Sequence, residues 1–282
     1  MMIIRLNGGL ANQMFQYAFG RAYSINNSVE FKLDISEYET YKLRNYSLNN
    51  LDVTAAIADR KEINTMIESN SVQNYFKRKL GLKIKVNNNY VKEKFYHFDE
   101  SALLYNDNRY FDGYWQSYKY FQNIRDILLK ELNVSNFNNP LLKSISDSES
   151  VSVHIRRGDY VSNAVTAEFH GILGVDYYDR AMKIIEDKVK NPVYFFFSDD
   201  INWVKENIHS NFESVYVENN KDFEDLILMK RCSHNIIANS SFSWWGAWLN
   251  ENSSKMVVAP QRWFADGTIN TDDLIPPEWI RV

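Results

Sequence analysis

The sequence predicts an α/β protein built from two Rossmann-like domains. Three observations lead there. The second half alternates short apolar runs with amphipathic stretches. The first half opens on the same order of strand, glycine turn, helix and strand. Basic or glycine-rich clusters also stand where predicted strands end. Strands of the buried type that alternate with helices require a parallel sheet covered on its faces.

In the first half, MIIRL reads as a strand, NGGLAN as a turn, 13–25 as an amphipathic helix and 31–34 (FKLD) as a second strand. Residues 35–110 are polar, rich in Asn and Tyr, and carry no dependable period. The stretch 133–149 mixes Asn, Ser and Pro and marks a boundary. It separates an N-terminal domain over 1–140 from a C-terminal domain over 150–282.

In the second half, Val151, Val153 and Ile155 alternate as a strand's do. Tyr177, Ala181, Ile184, Ile185 and Val189 recur at helical spacing over 176–190. The run 193–197 (VYFFF) is a buried strand. Helices are predicted over 201–208, 222–231 and 241–250, and strands over 214–217, 234–238 and 255–259. No repeat of fixed period is present.

The 282 residues are 45% hydrophobic and 15% aromatic, enough for a large core with aromatic rings to spare for a concave site. A formal net charge of −4 with dispersed Lys and Arg argues against nucleic acid as a partner. Cys232 is the single cysteine, which favours a reducing compartment. Four apolar residues before Arg5 are too few for a membrane span or signal peptide. The expected location is cytoplasmic, with peripheral membrane contact left open.

Ligands of open parallel sheets bind beyond the carboxyl ends of strands, and four segments fall there. HIRRGDY (154–160) places His154 and Arg156 on one strand face, with Arg157 and Asp159 on the exit loop. Two guanidiniums suit a diphosphate, although an Arg–Asp pair that fastens the loop would account for them as well. The Arg-Gly-Asp tripeptide inside it follows an apolar strand directly, so an adhesion loop is disfavoured. FFFSDD ends in Asp199 and Asp200, of which at least one is expected to cap the following helix; no metal-ligand spacing accompanies them. NSSFSWWGAW offers Ser240, Ser241 and Ser243 at a strand-to-helix turn suited to an anion, with Ser243 alternatively a plain cap. Its Trp pair is expected in the core. NGGLANQ supplies a tight turn near a ligand but is no phosphate-loop signature. Two such strand ends in two domains point to a nucleotide-type ligand in the cleft between them.

NGGLANQMFQYAFG, DGYWQSYKYF, HIRRGDY and NIIANSSFSWWGAWLN, taken together and in this order, resemble the bacterial α-1,2-fucosyltransferases of glycosyltransferase family 11. HIRRGDY is similar to the H-x-R-R-x-D motif shared with α-1,6- and some protein O-fucosyltransferases. The matches cover about residues 1–20, 111–122 and 151–260. The resemblance implies a GT-B fold, with two Rossmann-like domains facing across a cleft. It further implies a GDP-β-L-fucose donor, an oligosaccharide acceptor with terminal galactose, inversion at the anomeric carbon, and neither metal nor cofactor. Arg156 would then meet the β-phosphate, with Arg157 supporting the loop or the second charge. His154 would contact GDP or brace Arg156, and Asp225 would pair with guanine. Ser241, Phe242 and Ser243 would line the phosphate and ribose. Gly9 and Asn12 would approach from the N-terminal domain, and His170 would lie near the donor.

Trp115 and Gln116, with Glu168, are the acceptor-side candidates. Asp159, Glu168 and His170 are candidates for the general base, and Asp159 could instead orient the arginines. The alternatives are transfer with another linkage such as α-1,6, or a non-catalytic nucleotide-sugar or carbohydrate-binding protein.

Overall fold

A computed structural model describes residues 1–40, 43–67, 88–105, 108–158 and 164–282. The chain divides into two compact units, Met1–Leu132 and Asn133–Val282. The division falls at the start of the 133–149 stretch and not beyond Pro140. Phe137, Leu141, Leu142 and Ile145 pack with Leu228, Met229 and Cys232, which draws the segment into the second unit.

The first unit begins with β1 (Met2–Arg5), α1 (Leu10–Asn27), β2 (Phe31–Asp34) and β3 (Ala56–Ile57). It continues with α2 (Arg60–Ile67), β4 (Tyr90–Lys92), β5 (Arg109–Asp112) and α3 (Arg125–Glu131). Among the described residues the sheet order is β3-β2-β1-β5-β4, every pair parallel. α1 is buried nearly all round, so its apolar run extends past one face. It ends where Ser28 turns left-handed at φ 54° and donates its backbone N–H back to Ile25. α3 docks on it through Arg21, whose guanidinium donates to both Glu131 carboxylate oxygens, and through Tyr17, whose hydroxyl donates to Glu131 Oε2 at 2.7 Å.

The second unit carries α4 (Leu141–Ser146), β6 (Glu149–Ile155), α5 (Ala164–His170), α6 (Val175–Glu186) and β7 (Pro192–Ser198). It continues with α7 (Ile201–Asn207), β8 (Ser214–Tyr216), α8 (Asp222–Arg231) and β9 (His234–Ile236). The last elements are α9 (Ser241–Trp248), β10 (Val257–Ala259) and β11 (Ile280–Arg281). The sheet runs β11-β10-β9-β6-β7-β8, again wholly parallel. In sequence order this is the doubly wound arrangement of dinucleotide-binding domains, with its reversal between β6 and β9.

The central strands are buried on both faces. Val151, Val153, Ile155, Tyr194 and Phe196 face α6, while Phe195 and Phe197 face α8 and α4. Full burial of each such side chain is worth roughly 1.5–3 kcal/mol. β6 also turns Ser150 and Ser152 inward. Their hydroxyl oxygens accept from the Ser233 N–H at 3.0 Å and Asn235 Nδ2 at 2.7 Å, so no polar atom of that pair is left bare. Among the described residues no helix is long and apolar enough to cross a membrane.

Candidate active site

An open parallel sheet leaves a crevice where its strand order reverses, beyond the strands' carboxyl ends. In the second unit that position lies beyond β6 and β9. HIRRG leaves β6 there, and the Asn239–Ser243 turn leaves β9 beside it. His154 is the last inward-facing polar residue of β6. It is 5% exposed, its ring centroid is 5.6 Å from that of Phe242, and its Nδ1 has no partner among the described residues. Burial first, then the charge of Arg156, push its pKa down to about 3, so the imidazole is neutral at pH 7. It is therefore a preoriented polar group, not a charge.

Arg156 donates from Nη1 to Asp199 Oδ2 at 2.7 Å. Asp199 Oδ1 accepts the backbone N–H of Arg157 at 2.8 Å and of Gly158 at 3.0 Å. Gly158 is needed for this approach, since a Cβ there would lie 2.5 Å from Asp199 Oδ2. Burial alone would raise the Asp199 carboxyl's pKa. The charge of Arg156 and the two N–H groups outweigh that and hold it below the usual value. Asp200 accepts from the Trp203 N–H and caps α7, as expected for one of the pair. It also accepts from Arg157 Nε at 3.3 Å, and the Arg157 guanidinium lies 3.7 Å over the Trp203 ring. Arg157 thus fastens the loop, while Asp199 fixes the plane of Arg156. Asp159 lies outside the described residues.

At the β9 exit, Ser240 is the N-cap of α9 and accepts from the Phe242 N–H. Ser243 is not the cap: its hydroxyl donates back to the Ser240 carbonyl at 3.3 Å, and its side chain is buried. Ser241 and Phe242 are half-buried at the start of the helix. Trp244 and Trp245 are core residues, with Trp244 stacked on Trp248 and donating to the Leu274 carbonyl. Asn239 donates to the carbonyls of His170, Gly171 and Trp263 and so ties two segments to the β9 exit. His170 packs its ring against Phe169 and Phe264, whereas Glu168 is exposed on α5.

Asp225 sits in the first turn of α8, just beyond the β8 exit. It accepts from Asn220 Nδ2 at 3.0 Å, and burial pushes its pKa up to about 6 despite that bond.

In the first unit the reversal falls between β1 and β5, and NGGLANQ and GYWQ leave those two strands. The motifs are bonded to each other. Gln116 Nε2 donates to Asn12 Oδ1 at 3.0 Å, and Gln16 Nε2 donates to the Gly113 carbonyl at 3.1 Å. Gly9 is the N-cap residue of α1. Gln13 bridges the turn to residues 45–48 by donating to the Asn45 carbonyl and accepting from Ser47 and Leu48. Trp115 turns away from solvent at φ 56°. It is 1% exposed and stacks on Phe19 with centroids 4.2 Å apart. Its neighbour Tyr114 is the exposed ring of the motif.

Among the described residues, no three or more His, Cys, Asp or Glu side chains gather as a metal site would require.

Asn239 and Glu93 are not distinguished by the sequence, whereas Asp199 stands out there as one of two carboxylates ending a buried strand, with its pairing to Arg156 hidden.

The chain is 34% identical to an alpha-1,2-colitosyltransferase of Escherichia coli, over 100% of this chain and 98% of that protein. It is 35% identical to the O-antigen biosynthesis glycosyltransferase WbnK of Escherichia coli, over 98% and 99%. The structure of POFUT1 in complex with GDP-fucose shares the fold at TM-score 0.50 and 12% identity, over 90% of this chain and 96% of that one. The family model of glycosyl transferase family 11 matches residues 1–282. With its motifs gathered at the strand reversals of two parallel sheets, this chain belongs to glycosyltransferase family 11.

Proposed function

We propose that the protein is an inverting fucosyltransferase. It moves L-fucose from GDP-β-L-fucose to the 2-hydroxyl of a terminal β-galactoside on an O-antigen, capsule or lactose-type acceptor. The observation that carries this reading is the guanidinium of Arg156 at the reversal point of a dinucleotide-type sheet, held in orientation by Asp199. The full-length likeness to an alpha-1,2-transferase and to an O-antigen glycosyltransferase supports the linkage and the acceptor class.

In this reading the acceptor hydroxyl gives up its proton to a general base drawn from Asp159, Glu168 and His170. Its oxygen bonds to the fucose anomeric carbon as that carbon's bond to the β-phosphate oxygen breaks. The bonding pair leaves with GDP, and the α-linkage results. Charge then builds on the diphosphate, where Arg156 and the first turn of α9 neutralise it. His154, neutral and fixed, orients the donor. Asp225 accepts from guanine N–H groups. The enzyme works in the cytoplasm or at the membrane periphery and without a divalent ion. Activity should survive excess chelator, and its loss would contradict the metal-free reading.

A second donor is favoured by one observation, the likeness to a colitosyltransferase. Colitose is L-fucose without the 3-hydroxyl. Parallel assays with the fucose and colitose donors on one galactoside decide between them by the ratio of kcat/KM values. A site that hydrogen-bonds the 3-hydroxyl rejects the analogue lacking it, whereas an apolar contact there reverses the preference.

A further inference from the structure

Next to the 113–116 loop, at the carboxyl edge of the first unit's sheet, stands a carboxylate with no role in the arrangement above. Glu93 follows β4 directly, and its backbone N–H donates to the Asp112 carbonyl at 2.9 Å, extending the β4–β5 pairing. Its Oε2 accepts the Tyr114 N–H at 2.7 Å and its Oε1 the Trp115 N–H at 2.9 Å. Gly113 makes room for it, since a Cβ there would lie 2.3 Å from Glu93 Cβ.

A carboxylate offers about four lone-pair directions, and these two bonds use half of them. Glu93 is half-buried and forms no ion pair among the described residues. The charged group facing it from β5 is Asp112, which is itself held by Arg5 of β1 at 3.0 Å and by the Tyr90 hydroxyl of β4. Lys92 and Lys94 flank it on its own segment. Burial, with Asp112 adding to it, raises the Glu93 pKa to about 7 against the opposing pull of the two N–H groups.

Exposed aromatic side chains lie on the two segments that meet at this carboxylate. Tyr114, whose own N–H is bound to Glu93, is 42% exposed, and Phe95 and Tyr96, two and three residues beyond Glu93, are 48% and 49% exposed. The Phe95 ring stacks on His97 at 4.9 Å. Exposed aromatic side chains on the segments that carry a carboxylate with lone pairs to spare match a sugar, which presents C–H faces and hydroxyl donors together. A cationic ligand would also suit a carboxylate among rings, but Lys92 and Lys94 on either side oppose it.

We propose that this edge of the first unit is the acceptor-sugar subsite, in which Glu93 accepts a hydrogen bond from a hydroxyl of a β-galactoside and the Tyr114, Phe95 and Tyr96 rings pack on the sugar. The proposal rests on the galactoside acceptor of the fucosyltransferase reading and deepens it. Trp115 and Gln116, expected on this side from the motif, then act behind the subsite by anchoring the loop that carries Tyr114.

The test measures lactose binding by saturation-transfer NMR on the full chain without donor, together with the lactose KM during transfer. Tyr114→Ala removes an exposed ring and leaves the core untouched. It should weaken lactose binding and raise its KM about tenfold, with GDP affinity within twofold of wild type. Glu93→Gln should do the same and flatten the pH response, because wild-type lactose KM should rise as pH falls through about 7. Should Glu93→Gln unsettle the loop, Tyr114→Ala and the wild-type pH response still decide. Unchanged lactose binding in Tyr114→Ala, a pH-independent wild-type lactose KM, or preferential binding of tetramethylammonium would each overturn the proposal. If lactose binds in a Glu93- and Tyr114-dependent way but receives no fucose, the subsite stands and the fucosyltransferase reading fails. If fucose is transferred and the variants are silent, the subsite alone fails.

Discussion

Asp199 Oδ2 lies 2.7 Å from Arg156 Nη1, while its other oxygen holds the backbone of Arg157 and Gly158. One carboxylate therefore sets both the guanidinium and the loop that follows it. Asp199→Asn keeps the shape but loses the charge. A hydrogen bond to a charged group contributes about 1.5–3 kcal/mol, so transfer should fall roughly 10- to 100-fold, read as kcat/KM for the donor. Arg156→Lys should lose at least as much while the circular dichroism spectrum stays native, because an ammonium cannot reproduce the planar fork. Near-normal turnover in Arg156→Lys would remove it from the leaving-group role.

His154 has a pH signature of its own. Its folded-state pKa of about 3 lies below its ordinary value of 6.5. The unfolded chain then binds more protons across that window, so stability rises with pH between about 3 and 6.5 and is lost on acidification. Thermal unfolding midpoints of His154→Phe should fall less steeply from pH 6.5 to 4.5 than those of wild type. Parallel slopes would show that His154 is not buried neutral.

Asp225 titrates near the assay range. Burial raises its pKa to about 6, so lowering the pH through 6 protonates the carboxylate proposed as the acceptor for guanine. GDP affinity, measured by calorimetry, should weaken below pH 6 in wild type. It should be weak and flat in Asp225→Asn, and a pH-independent wild type would detach Asp225 from the base.

Trp115 belongs to the packing of the first unit. Trp115→Ala should cost about 3–5 kcal/mol of stability, seen as a lower urea midpoint. Trp115→Phe, which keeps the stack on Phe19, should cost less. A neutral Trp115→Ala would contradict the burial.

The second unit was largely legible because β6 alternates Val151, Val153 and Ile155 with polar residues, β7 reads as an unbroken apolar run, and α8 spans the predicted 222–231. Residues 35–110 were not. β3 has two residues and β4 three, too short to show a period of two, and β3 is exposed. Their pairing partners are distant in sequence, so register comes from the sheet and not from local pattern. At the site, the strand ends and the arginines could be read, because residue type and position coincide there. The partners could not. Glu93 meets the Tyr114 N–H across 21 residues, and Asp199 meets the Arg157 N–H across 42. The burial of Trp115 is hidden for a related reason: its left-handed backbone turns the ring inward and leaves Tyr114 outside, a choice that adjacent aromatics do not reveal.

The central claim is the transfer itself. Incubation of the protein with GDP-β-L-fucose and lactose, followed by NMR linkage analysis of the trisaccharide, tests it most directly. The account predicts an α-anomeric fucose on the 2-position of the terminal galactose. A product linked elsewhere, a β-anomer, or GDP binding without transfer to any β-galactoside would contradict it.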